Sequence, residues 1–128
     1  LIIKSVRMTR KVLPKKDMPQ PKVDIRIKFN LLVEIHFREK HKVAEYAALL
    51  NVSPKSLSNV FLRYYSKSPL KVISERICLE GERLIRYSDK NMNEIAYWLG
   101  FNEASHFSKF FKKHTGKSPK EYKYLNTH

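Results

Sequence analysis

Ile95-Ala96-Tyr97-Trp98-Leu99-Gly100-Phe101-Asn102-Glu103-Ala104-Ser105-His106-Phe107-Ser108-Lys109-Phe110-Phe111 holds two apolar helical patterns separated by one break. Ile95, Ala96 and Leu99 fall on one helical face. Gly100 stands where that helix should stop, because glycine enters the left-handed region at a helix C-terminus without a Cβ clash. Asn102 offers a side-chain oxygen as N-cap. From Glu103 the apolar residues resume at Phe107, Phe110 and Phe111, an i, i+3, i+4 pattern. Small Ala96 lets two helices cross closely, while Ser105, His106, Ser108, Lys109 and Lys112 lie on faces the core does not use. The spacing predicts helix, tight turn, helix with a polar outer face: a helix-turn-helix layout.

The same arrangement occurs earlier, in Val43-Ala44-Glu45-Tyr46-Ala47-Ala48-Leu49-Leu50-Asn51-Val52-Ser53-Pro54-Lys55-Ser56-Leu57-Ser58-Asn59-Val60-Phe61. Ala47 answers Ala96, Leu50 answers Leu99, Asn51 answers Gly100 and Val52 answers Phe101, each 49 residues apart. The later copy carries one extra residue in its turn, so Leu57, Val60 and Phe61 match Phe107, Phe110 and Phe111 at a spacing of 50. Lys67-Ser68-Pro69 returns as Lys117-Ser118-Pro119 at that same spacing. A whole supersecondary unit is thus repeated, and two copies point to a paired module rather than a solenoid.

A chain of 128 residues can bury a modest core. Its net charge of +14 favours a polyanionic partner, nucleic acid or anionic lipid. The lysines are spread over several short helices rather than along one amphipathic helix, which argues against a membrane surface. The sequence has no apolar run of about eighteen residues, the length a bilayer span needs. Its one cysteine, Cys78, excludes an internal disulfide framework and fits a reducing compartment. A cytoplasmic location is therefore expected. The chain opens on Leu1 rather than Met and shows no secretory signal, so it is expected to be a fragment of a longer protein.

Residues 1–22 are expected to be the tail of an upstream domain followed by a basic linker. Leu1 to Arg7 carries spaced apolar positions, Leu1 to Leu13 reads as the last helix of that domain, and Pro14, Pro19 and Pro21 interrupt helix. This stretch holds seven of the 26 basic residues and a net charge of +6, against +8 for the rest. It reads as a solvated tether or as an arm that touches phosphates. Residues 23–128 form the main domain, with a first unit over about 24–66, a joining helix over about 69–87 and a second unit over about 90–125.

Within it, Asp24 to about Lys40 predicts a helix with Ile27, Leu31 and Ile35 on its inner face, broadened by Phe29, Leu32, Val33 and His36. Helices then follow from Val43 to Leu50 and from Ser53 or Pro54 to about Tyr64, Ser53-Pro54 being an N-cap followed by proline at the first helical position. Ser68-Pro69 opens the joining helix, and Val72, Ile73, Ile77, Leu84 and Ile85 recur helically along it. Gly81 weakens that helix by about 1 kcal/mol relative to alanine, so it is expected to permit a close contact. With no loop of its own, the helix should hold the two units at a fixed separation. Ser88-Asp89-Lys90-Asn91 breaks it, Thr115-Gly116 ends the second unit's outer helix, and Ser118-Pro119 starts a short final one.

Catalysis finds no support: the sequence shows no nucleophile–base pair, metal set or glycine-rich phosphate loop, and no cofactor is expected. His36 and His41, five apart, do not share a helix face and lack further ligands. Cys78 invites an alkyl-acceptor reading, but its place on the apolar side of the joining helix makes it a buried, inert thiol. Tyr64, Trp98, Phe107, Phe110 and Phe111 are read as core rather than as a base-stacking platform.

Ile95-Ala96, Gly100-Phe101, Ser105, Phe107-Ser108, Phe111, Gly116, Ser118-Pro119 and Tyr122 follow a known signature, and residues 24–125 resemble the DNA-binding domain of the AraC/XylS family of bacterial transcription regulators. The resemblance implies an all-α fold of seven helices, homeodomain-like, with two helix-turn-helix subdomains on a rigid linker helix. Its recognition helices would enter neighbouring major-groove segments of double-stranded DNA about one turn apart. Asn51 and Ser66 replace common glycines, Ile77 a usual arginine with Arg76 beside it, and Gly81 a usual alanine.

Carried over by residue, base readout falls to Lys55, Ser58 and Asn59 in the first recognition helix and to Ala104, Ser105, His106, Ser108 and Lys109 in the second. Asn pairs with adenine, Lys donates to guanine, and Ala or Ser meets a thymine methyl. Each position also reads as solvated or phosphate-facing. Glu103 could accept from a cytosine or help the helix N-terminus. Arg63, Lys112, Lys113, Lys117 and Lys120 are placed as phosphate contacts, which position without specifying. The resemblance further implies an upstream effector-binding or dimerisation domain and contact with RNA polymerase, the fragment itself being monomeric. The competing reading is a non-specific DNA- or RNA-binding module.

Overall fold

The computed structural model describes residues 20–127, with side chains over 24–125. Seven helices make up the described fold: α1 Gln20–His36, α2 Val43–Leu49, α3 Pro54–Tyr64, α4 Pro69–Tyr87, α5 Met92–Trp98, α6 Ala104–Thr115 and α7 Pro119–Thr127. The all-α expectation holds. Most of the anticipated tail and linker, residues 1–19, lies outside the described residues.

Helix starts are set locally. Ser53 and Ser68 accept the backbone N–H of Ser56 and Lys71 at 3.0 and 3.1 Å, each followed by a proline whose missing N–H removes nothing a helix needs there. Asn91 and Glu94 close a reciprocal capping box at 2.9 and 2.8 Å, and Ser118 and Glu121 do the same for α7. Asn102 does not cap α6. The extra residue of the second turn moves the first helical residue to Ala104, so Glu103 takes the cap position, and its side chain caps no backbone N–H.

Both turns close in the same way. Asn51 has φ +58° and the next N–H, of Val52, returns to Ala47 O at 3.0 Å; Gly100 has φ +88° and Phe101 N–H returns to Ala96 O at 2.9 Å. This is the Schellman closure, and it needs one residue in the left-handed region.

The expected apolar face of α1 is corrected at its centre, since Phe29 and Val33, expected only to broaden it, form the buried stripe. Ile27, Leu31 and Ile35 are 51, 60 and 66% exposed, whereas Phe29, Val33 and Phe37 are buried. The helix begins earlier than Asp24, with Pro21 tolerated in its first turn, and ends at His36. Residues two positions apart on a helix are separated by about 200° around its axis, so these stripes point in opposite directions. The aromatic stripe wins because its rings fill the core: Phe29 meets Tyr46 and Phe61 edge-on at 5.5 and 5.1 Å.

Helix α4 packs against every other described helix. Ile73, Ile77, Leu84 and Ile85 are buried in one continuous cluster that runs from Phe29 to Phe111. Gly81 makes the expected close contact: a Cβ there would sit 3.1 Å from Cζ of Phe107 and 3.6 Å from Leu99 Cδ1. Ile77 occupies the core, while Arg76 lies over the Phe37 ring and bonds Glu34 at 2.7 Å. The two units therefore share a core rather than merely a connector.

Candidate nucleic-acid interface

Helices α3 and α6 are amphipathic in equivalent ways. In α3, Leu57, Val60 and Phe61 turn inward, which leaves Lys55, Ser58, Asn59 and Arg63 exposed. In α6, Phe107 and Phe111 are buried and Phe110 packs on them, leaving Ser105, His106, Lys109, Lys112 and Lys113 exposed. Ala104 and Ser108, the other two candidate readout positions, are half-buried, Ala104 against the core. Lys117 and Lys120 are exposed around the start of α7. Every candidate contact thus lies on or beside an outer helical face.

The aromatic residues divide. Phe107 and Phe111 are core as expected, Tyr64 is half-buried, and Trp98 departs from the expectation at 37% exposed. Its ring is covered by cations, with the Arg38 guanidinium 3.5 Å and the Lys90 ammonium 4.9 Å from the ring centroid.

Charges are sorted by location. Glu34, Glu75 and Glu80 are matched by Arg76, by Lys67 with Lys71, and by Arg83 with Arg76. The Arg83 hydrogen bond holds the Glu80 carboxyl below its ordinary range despite burial, and the Lys67 hydrogen bond lowers that of the exposed Glu75. By contrast, Lys55, Arg63, Lys109, Lys112 and Lys113 form no ion pair among the described residues. Arg63, Lys112 and Lys113 also stand in the last turns of their helices, where the backbone dipole favours cations.

One acid interrupts the basic face. Glu103 accepts from Ser105 Oγ at 3.2 Å, and its carboxylate lies 3.8 Å from His106 Nε2. Two of the candidate readout groups therefore face the same carboxylate.

Among the described residues no three His, Cys, Asp or Glu side chains gather as metal ligands, and no helix is long and apolar enough to cross a membrane. His41 instead lies 2.8 Å from Leu99 O. Cys78 is 5% exposed and burial pushes its thiol up to about 12, so it stays a protonated, inert thiol.

Known proteins share this pattern. Residues 46–124, more than half of the chain, match the family described as a helix-turn-helix domain. The chain is 26% identical over 89 residues to the transcriptional activator RhaS of Enterobacter sp. (strain 638), covering 70% of this chain and 32% of RhaS. It superposes on the C-terminal domain of AraT, a response regulator from Geobacillus stearothermophilus, with TM-score 0.72 and 25% identity over 79% of this chain and 84% of that one. The DNA-binding domain of AdpA, a global transcriptional factor solved with a target DNA, has the same fold at TM-score 0.65 and 23% identity, over 84% and 93% of the two chains. The chain spans about a third of the length of the curated relatives it matches.

Proposed function

This chain belongs to the AraC/XylS family of bacterial helix-turn-helix regulators, and we propose that its two outer helices read adjacent major-groove segments of duplex DNA. Lys55, Ser58 and Asn59 on α3, and Ala104, Ser105, His106, Ser108 and Lys109 on α6, carry the base readout. The observation that supports this most is the pair of equivalently closed helix-turn-helix units on one core, each with a polar outer face and cations that form no ion pair among the described residues.

Arg63, Lys112, Lys113, Lys117 and Lys120 contact phosphates and fix the register of both helices. Each phosphate neutralised releases condensed counterions, so log K falls by about 0.9 per contact per decade of salt. In the intact protein an upstream domain supplies effector binding or dimerisation, and bound regulator contacts RNA polymerase. The protein acts in the cytoplasm, on the nucleoid, and is not an enzyme.

Selection of bound duplexes from a random library at two salt concentrations tests this reading. The expected product is a motif of two short elements about ten base pairs apart. Retention of every sequence alike, with binding lost as salt rises, would favour the non-specific module instead.

A further inference from the structure

We propose that a polar clasp between loop 38–41 and turn 98–101 sets the phase of the two recognition helices, so that preference for one spacing of the two DNA elements depends on Arg38, His41 and Gly100. This rests on the two-headed reading above.

The clasp joins residues far apart in sequence. Arg38 Nε donates to Trp98 O at 2.8 Å while its guanidinium stacks on the Trp98 ring, and His41 Nε2 donates to Leu99 O at 2.8 Å. Those carbonyls belong to the end of α5, where helical carbonyls have no partner further along the helix. A cation over them also suits the negative end of the helix dipole. Gly100 completes the fit, since a Cβ there would come within 2.1 Å of Arg38 O.

Both sides of the clasp are anchored. Tyr46, fully buried on α2, donates its hydroxyl to Lys40 O at 2.8 Å and so ties the loop to the first unit. On the other side, Phe101 stacks on His41 at 4.9 Å and packs on Phe107 and Phe110 at 5.5 and 5.3 Å, both on α6. A connected path therefore runs from α2 to the second recognition helix without passing along α4. Along α4, rotation of one unit against the other about the helix axis is resisted by apolar packing, which has no preferred direction, and on the first unit's side by the Arg76–Glu34 bond. Directional hydrogen bonds off that axis remove the freedom. One base pair of added separation rotates the second element by about 35° around the duplex, so phase matters to a two-headed reader.

The test uses the full chain and the two-element duplex it selects, with the separation lengthened or shortened by one and two base pairs, and each element also offered alone. The unsubstituted chain should lose about tenfold per base pair of mis-spacing, comparable to one mismatched pair. Arg38→Ala with His41→Ala should flatten that profile while binding single elements as before, and His41→Gln, which keeps a donor, should restore part of it. Circular dichroism and melting establish that each variant is folded. Should the double variant not fold, His41→Ala alone carries the same comparison. A variant profile as steep as that of the unsubstituted chain overturns the clasp and leaves the two-headed reading intact. A chain that selects no two-element duplex overturns the reading itself.

Discussion

The two helix-turn-helix units turn their chains with the same backbone geometry but under different constraints. Asn51 meets its left-handed φ in an exposed turn, where its short polar side chain tolerates the conformation. Gly100 meets it against the backbone of Arg38, where no side chain of any kind fits. The first turn has to satisfy a dihedral angle; the second has to satisfy an angle and a neighbour. A conserved-looking shape in two copies can thus hide one site that accepts substitution and one that does not.

The largest effect expected concerns whether the units are separable at all. Phe107→Ala should cost about 3–5 kcal/mol, since the ring is fully buried and touches α4 at Gly81. Because the core is continuous, denaturant should remove both units in one transition. Two transitions would show that each unit folds alone.

The turns come next. Gly100→Ala should destabilise by about 2–3 kcal/mol, through strain at positive φ and displacement of the Arg38 backbone. Asn51→Gly should be neutral or stabilising by less than about 1 kcal/mol. Equal losses in urea titrations would abolish the distinction drawn between the turns.

Smaller effects separate reading from holding. Lys109→Ala should lose about 1–3 kcal/mol of discrimination at one base step. Lys113→Ala should weaken all sequences alike and reduce the salt slope by about one unit. If both variants weakened every duplex equally, the assignment of the outer face of α6 would be wrong.

The mildest effect is on acid stability. Glu80 sits on α4 between arginines, and the Arg83 hydrogen bond holds its carboxyl below 4.5. A carboxyl depressed on folding contributes stability that is present above about pH 4.5 and lost as pH falls through its folded value. Glu80→Gln should therefore shallow the loss of melting temperature between pH 5 and 3 (about these limits) while neutral pH already shows the missing contribution. An unchanged acid limb would assign that loss to other carboxylates.

Much of this architecture is legible because its signals are local. The repeat, the Ser53-Pro54 and Ser68-Pro69 starts, the left-handed turn residues and the outward faces of α3 and α6 all follow from residues within a turn or two of one another. What escaped depends on distant packing. Both stripes of α1 are apolar and four residues apart, so periodicity does not choose between Ile27 with Leu31 and Phe29 with Val33. The shape of the pocket around Phe29 does. His41 gives no sequence signal of its role, because its partner Leu99 lies 58 residues away. The miscast Asn102 reflects a one-residue insertion whose effect on the cap becomes visible only with the backbone.

The side-chain caps at Ser53, Ser68, Asn91 and Ser118 bear on how quickly the domain assembles. Each bond spans only three residues, so it can form without a long loop to close and while the rest of the chain is still searching. Helical segments of this length relax within about a microsecond. With start points written into the chain, collision need only sort ready-made helices around α4, and folding should fall in the microsecond-to-millisecond range of helical proteins. A newly synthesised copy would spend little time with its aromatic core exposed to aggregation.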